Sequence, residues 1–308
     1  MIYHAVGFGA INLDKLYQVN KIAREDDESF IKDLKISCGG SAANTLIGLS
    51  RLGLKTALIG KTAQDPEGKI LLENLKNEEV ESNAIISTSE GRSGSVIGFV
   101  DEAGERALYV DPGVNDRIKF QEIDLELVLN TKILHLTSFV GESLNAQEEL
   151  LEKLPPEITV SLDPGRIYAE YGADKLAGIL KKTDILLVNR AELKLLTEKK
   201  YKKIEEQIKS LNNFDIDIIV VKLGEEGCYA TDGKSTFKLE SFPVECQDTT
   251  GAGDAFNAGF LYGYITERTL KESCIIGNYV AACCVEDFGG INGLPDIEKV
   301  NNQLKELL

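Results

Sequence analysis

Two hydrophobic rhythms alternate along the chain. Short apolar runs rich in Val, Ile and Leu occupy residues 4–9 (HAVGFG), 56–62 (TALIGKT), 133–138 (ILHLTS), 158–163 (ITVSLD), 185–189 (ILLVN) and 217–223 (DIIVVKL). Between them, residues 41–52, 67–77, 143–153, 174–181, 191–197 and 203–212 mix apolar and charged positions at helical spacing. Residues 252–264, 270–285 and 296–307 continue that pattern to the end of the sequence. Strands alternating with helices predict βαβ units around a largely parallel sheet, an α/β fold of three layers, α/β/α. Residues 14–36 and 91–110 break the rhythm with short alternating runs and a turn-like Glu-Ala-Gly-Glu, which reads as antiparallel strands. The expected organisation is a main α/β domain of residues 1–13, 37–90 and 113–308 with a small β-sheet lid made from 14–36 and 91–112.

Composition narrows the functional classes. The chain has 308 residues, 43% hydrophobic and 27% charged, which is ordinary for a globular protein. Its net charge of −16 disfavours nucleic acid, whose phosphate backbone needs a basic footprint. An acidic protein still binds nucleotides if N–H groups, Lys or Mg²⁺ neutralise their phosphates locally. Cys38, Cys228, Cys246, Cys274, Cys283 and Cys284 contain no CxxC spacing and are expected as reduced thiols. His4 and His135 are the sole histidines, too few for a His-rich metal centre. The segment MIYHAVGFGAINLD lacks a basic n-region, and no apolar stretch approaches the ~18–20 residues of a membrane span, so a cytoplasmic location without membrane contact is expected. Gly7-Phe8-Gly9 lacks the third glycine of a Rossmann fingerprint, and GxxxxGK[ST] is absent.

Residues 246–264, CQDTTGAGDAFNAGFLYGY, carry the densest chemistry. Gly251-Ala252-Gly253 precedes an apolar helical run, so free backbone N–H groups and the positive end of a helix dipole converge there without a basic side chain. Asp254 follows in the first turn. A carboxylate beside an anion cradle suits phosphoryl transfer to an alcohol: the N–H groups stabilise the moving phosphoryl oxygens while the carboxylate takes the alcohol proton. A helix-capping Asp behind a tight glycine turn would have the same spelling. An ordinary carboxyl pKa near ~4 already leaves such a base ionised at pH 7.

The wider Asp248-Thr249…Gly251-Ala252-Gly253-Asp254…Phe256 pattern resembles the second signature of the ribokinase-like, or PfkB, family of carbohydrate and nucleoside kinases. Gly39-Gly40…Asn44 resembles that family's N-terminal signature, and Asn189…Glu192 its NxxE motif. Gly9 to Asp14, Leu162-Asp163-Pro164-Gly165 and Lys222-Leu223-Gly224…Gly227 agree in the same order, so the likeness runs from residue 4 to Pro295.

The resemblance implies a ribokinase-like kinase that uses ATP and Mg²⁺, with ADP open as an alternative donor. Asp254 would be the catalytic base, with the backbone of Thr250, Gly251, Ala252 and Gly253 as the anion hole. Asn12, Asp14, Gly39, Gly40 and Asn44 would border the acceptor sugar. Asn189 and Glu192 would position Mg²⁺ and the nucleotide phosphates, Glu192 through water; the same spacing also spells a helix capping box. Lys222, Gly224, Gly227 and Asn278 would lie on the nucleotide side. Asp248 and Thr250, with the 289–293 turn, resemble a monovalent-cation site for K⁺. Homodimerisation through the lid is a family habit that this chain could share.

Two departures bear on the acceptor. Ser41-Ala42-Ala43 stands where ribose kinases carry Gly-Lys-Gly, and Ser138 stands where they place a substrate-binding Glu. Arg92, Arg106 and Arg166 lie near the expected acceptor side, where guanidinium forks would suit a phosphorylated sugar. A free ribose-like sugar, a nucleoside and a sugar phosphate all remain open as acceptors, as does a regulator that binds without catalysis.

Overall fold

The computed structural model describes residues 3–103 and 105–307; Met1 and Ile2, with which the expected main domain begins, Gly104 of the expected lid turn and the terminal Leu308 lie outside the described residues. Among the described residues, thirteen strands form two sheets. The first sheet contains β1 (Tyr3–Phe8), β4 (Thr56–Ala63), β5 (Ile85–Thr88), β8 (Thr131–Thr137), β9 (Thr159–Asp163), β10 (Ile185–Asn189), β11 (Ile218–Lys222), β12 (Cys228–Thr231) and β13 (Thr236–Leu239). Its order is β13-β12-β11-β10-β9-β8-β1-β4-β5. From β11 to β5 every pairing is parallel, whereas β12 and β13 are added antiparallel.

Alternate residues of the parallel strands feed two cores. Ala5, Leu58, Ile133, Ile185, Leu187 and Val220 face one; Val6, Ile59, Leu134, Leu186, Val188 and Val221 face the other. The first core is covered by α1 (Ser41–Arg51), α2 (Pro66–Asn77), α9 (Ala252–Ile265), α10 (Leu270–Cys284) and α11 (Ile297–Leu307). The second is covered by α3 (Leu125–Leu129), α4 (Glu142–Leu151), α5 (Gly165–Tyr171), α6 (Ala177–Leu180), α7 (Arg190–Leu196) and α8 (Ile204–Lys209). This is the expected three-layer α/β/α fold.

Helix α9 is apolar nearly all round because it lies between α1, α10 and the sheet. Gly259 and Gly263 let it approach α10: a Cβ at Gly259 would stand 2.7 Å from the Ile276 carbonyl, and one at Gly263 2.7 Å from Ser273.

The second sheet has the order β3-β2-β6-β7, with β2 (Asn12–Val19), β3 (Ile31–Gly39), β6 (Gly94–Val100) and β7 (Arg106–Asp111). Two hairpin-like antiparallel pairs, β2–β3 and β6–β7, are joined by a parallel pairing of β2 with β6. The expectation of purely antiparallel strands is corrected on this point. Alternation reports that a segment is a strand but carries no direction for a partner some eighty residues away. The sheet touches the main body through Lys15, whose ammonium pairs with Glu67 of α2 at 2.7 Å, and through Lys35, which lies 4.6 Å over the Phe288 ring.

Candidate active site

In a parallel sheet the carboxyl ends of the strands share one edge, where loops leave the sheet and ligands bind. Here β1 delivers the 9–12 turn, β9 ends on Asp163, β10 on Asn189 and β11 on Lys222. The amino-terminus of α9 arrives at the same edge. Gly251 caps it at φ +74°, and a Cβ there would meet Gly290 at 2.5 Å, so glycine is required both by backbone conformation and by space. The N–H of Ala252 turns back to the Thr249 carbonyl at 3.3 Å. Those of Gly251, Gly253 and Asp254 have no acceptor among the described residues. They form an anion cradle at the positive end of a fourteen-residue helix.

The Asp254 carboxylate is held by α1. Asn44 Nδ2 donates to its Oδ2 at 2.8 Å, and Thr45 Oγ1 donates to its carbonyl at 3.3 Å. Burial pushes its pKa up to about 7. The Asn44 hydrogen bond opposes that rise, the Asp163 charge adds to it, and Lys222 and Ser41 oppose it. The ordinary value near ~4 expected from sequence is therefore corrected, because the group is desolvated. Near neutrality it is poised to take a proton and release it again.

Beneath it meet three residues whose motifs sequence reading took separately. Lys222 Nζ donates to Asp163 Oδ2 at 2.7 Å and to Asn257 Oδ1 at 3.1 Å, while Asn257 Nδ2 donates to the same Asp163 oxygen at 2.6 Å. Asp163 and Asn257 are buried, and the Lys222 side chain is 11% exposed. Lys222, expected on the nucleotide side, has its ammonium 3.5 Å from where a Cβ on Gly253 would stand. A signal was available: Asn257 lies three residues after Asp254, one helical turn along the same face.

On the acceptor side, Gly40 adopts φ +121° at the start of α1, and a Cβ there would stand 2.2 Å from the Ala10 carbonyl. Gly39 is equally tight, its missing Cβ lying 2.6 Å from Asp14 Oδ2. Asp14 itself has no hydrogen-bond donor or ion-pair partner among the described residues, and burial pushes its pKa up to about 6. Asn12 Oδ1 accepts from Asn115 Nδ2 at 3.0 Å. Asn115 also binds the Ile11 N–H and carbonyl at 3.0 and 2.9 Å, a buried clamp that sequence reading did not find. Asn44, expected as a border of this pocket, links it to Asp254.

Asn189 and Glu192 form a reciprocal capping box on α7: the Glu192 N–H donates to Asn189 Oδ1 at 2.9 Å and the Asn189 N–H to Glu192 Oε2 at 2.8 Å. Glu192 Oε1 has no donor among the described residues, and burial together with Asp163 pushes this carboxyl up. A carboxylate oxygen left without a donor fits a hard cation such as Mg²⁺. Among the described residues no cluster of three or more His, Cys, Asp or Glu could cage a metal unaided.

Gly224 and Gly227 take φ +64° and +86° in the turn from β11 to β12. Asn278 is buried and donates to the Glu240 carbonyl at 3.0 Å, holding that segment. Asp248 Oδ1 accepts from the Thr250 N–H and hydroxyl at 2.9 and 2.7 Å, and its Oδ2 accepts from the Gly289 N–H at 3.0 Å. These donors join two loops. Arg166 points outward and pairs with Glu170 at 2.7 Å; Arg92 pairs with Asp111 at 2.9 Å. Arg106 is exposed, close enough to Asp248 to help hold that carboxyl down.

Comparison with known proteins follows this geometry. The model of the pfkB family carbohydrate kinases matches residues 4–297. An uncharacterized sugar kinase of Archaeoglobus fulgidus is 45% identical over 81% of this chain and 98% of its own length. An ATP-dependent ribose-1-phosphate kinase of Halopiger xanaduensis is 30% identical over 89% of this chain and 88% of its own. A ribokinase of Thermotoga maritima superposes with a TM-score of 0.89 at 22% identity, covering 98% of this chain and 99% of that one.

Proposed function

The chain belongs to the pfkB family of carbohydrate kinases, phosphotransferases that act on a hydroxyl group, and on that premise we propose that it moves the terminal phosphoryl group of ATP onto a hydroxyl of a ribose-like sugar with Asp254 as the base. The observation that carries this reading is the meeting of one carboxylate, Asp254, with three unpartnered N–H groups at the same helix end. Asp14, a carboxylate without a donor among the described residues, flanks the same 39–44 turn and offers two acceptor oxygens to vicinal hydroxyls.

In the proposed reaction the acceptor hydroxyl rests between Asp14 and Asp254. Its oxygen attacks the terminal phosphorus, the bond from that phosphorus to the bridging oxygen breaks, and ADP leaves. Asp254 takes the hydroxyl proton and passes it to solvent. The N–H groups of Gly251, Gly253 and Asp254 stabilise the charge on the moving oxygens, an effect of electrostatic preorganisation. Mg²⁺ would be held at Glu192 through water, where it supplies charge neutralisation to the polyphosphate. The second sheet would close over the site and exclude water, so that transfer outcompetes hydrolysis.

Of the three arginines flagged from sequence, Arg166 supports an uncharged acceptor, since it is exposed and pairs with Glu170. A phosphorylated sugar is favoured by a different observation: a cavity of about 480 Å³ beside the second sheet is lined by Arg92, Arg117, Asp111 and Asp116. The ribose-1-phosphate kinase relative points the same way. A panel of free sugars, nucleosides and sugar phosphates, each offered with ATP and ADP, tests both. Turnover of free pentoses or nucleosides supports the first reading, turnover confined to sugar phosphates the second, and turnover of none overturns the kinase assignment. The exposed Phe30, Ile31, Leu34, Tyr109 and Val110 on the second sheet support pairing with a second copy, to be tested by sedimentation.

A further inference from the structure

Burying an ammonium is expensive unless the fold uses it, and the Lys222 side chain, paired across the strands with Asn189, is only 11% exposed. Asp163 accepts both Lys222 and Asn257 on one oxygen, and its other oxygen accepts the Gly165 N–H at 3.0 Å. Asn257 sits one turn beyond Asp254 on α9, so the group is fastened to the very helix whose first turn forms the anion cradle. Lys222 thereby joins the end of β11 to the end of β9 and to α9, with its charge directly under Gly253.

We propose that Lys222, locked by Asp163 and Asn257, is a positioning residue for Asp254: the triad fixes the first turn of α9 and supplies the positive charge beside which Asp254 carries its negative one. The inference rests on the kinase reading and deepens it. Asp254 is faced by Asp163 from β9, Lys222 from β11, Asn44 and Ser41 from α1, and the Cys284 thiol of α10; Glu192 of α7 faces Lys222. Cys284 is neutral, its pKa pushed up to about 12 by burial, and Asn44 and Ser41 carry no charge. The balance at Asp254 is thus a contest between Lys222 and Asp163, and the two make opposite predictions.

Lys222→Met leaves Asp163 unopposed and moves the acid limb of the kcat/KM–pH profile upward by about one to three pH units. Asp163→Asn leaves Lys222 unopposed and moves that limb downward. The double variant returns it towards wild type, and Lys222→Arg stays close to wild type, which also covers a Met variant that fails to fold. A lysine that merely binds nucleotide would instead raise KM for ATP with the limb unmoved, and that result overturns the proposal, as do shifts of the same sign in the two single variants. The Asp254 carboxyl can also be titrated without turnover, by ¹³C NMR of aspartate-labelled protein with Asp254→Asn assigning the resonance. If the wild type phosphorylates no acceptor, the kinase reading falls while this titration still decides the charge claim: opposite shifts in the two variants sustain it, and unmoved or parallel shifts refute it.

Discussion

Replacing Asp14 with Asn separates function from stability. Its carboxyl has no donor among the described residues, and burial raises its pKa from 3.8 to about 6. Since the raised value belongs to the folded state, ionising Asp14 costs stability. The penalty is absent below about pH 4, grows between pH 4 and 6, and is complete above pH 6. A shift of about two units corresponds to a ceiling of about 3 kcal/mol at ~1.36 kcal/mol per unit. Partial solvent access to the pocket reduces this to about 1–2 kcal/mol. Asp14→Asn keeps the shape and removes the penalty, so the variant should melt higher than wild type at pH 8 by roughly 1.5–3 °C. The two should converge at pH 4. The same change removes charge-assisted hydrogen bonds to the acceptor and should lower kcat/KM for it by about 10- to 100-fold. Scanning calorimetry of the ligand-free proteins at the two pH values, with ADP-release kinetics at pH 8, reads both effects. A variant less stable than wild type at pH 8 would refute the reasoning, because it would mean that Asp14 holds the fold instead of waiting for a ligand.

Two further substitutions probe the same edge. Asn44→Leu removes the 2.8 Å donor to Asp254, so the base should protonate more readily; a rise of about one unit lowers kcat/KM about five-fold at pH 7 and is recovered above pH 9. A rate loss equal at every pH would assign Asn44 to acceptor binding instead. Gly251→Ala meets both a left-handed φ and the Gly290 backbone at 2.5 Å, and should lower Tm together with kcat, the backbone conformation contributing about 1–2 kcal/mol; an unchanged Tm would mean that the turn relaxes freely.

Much of the fold was legible because its parallel strands are buried on both faces and read as apolar runs, and the boundaries of β1, β8, β10 and α9 fall within two residues of expectation. What escaped has physical reasons. The short edge strand β5 pairs along one side only, so no strong apolar pattern marks it. The β12–β13 hairpin did carry a signal, Asp232-Gly233 between two alternating runs, that went unused. Helix α5, which starts directly after Pro164, is absent from the expected helices, being only seven residues long. At the site, the motif residues announced themselves through glycine spacing. Asn115 did not, because it reaches Ile11 across more than a hundred residues from an irregular turn. Nor did the desolvation of Asp254, since burial is a property of the assembled helices α1 and α9 and has no local spelling.

The central claim concerns the acid at the head of α9. Asp254→Asn preserves size and the helix while removing the proton acceptor, and calorimetric ATP titration beside steady-state kinetics measures both consequences in one preparation. ATP affinity should stay within a few-fold of wild type while kcat falls by about 10²- to 10⁴-fold, the usual contribution of a general base. A variant that keeps more than about a tenth of wild-type kcat would contradict the account, because general-base losses are far larger than that.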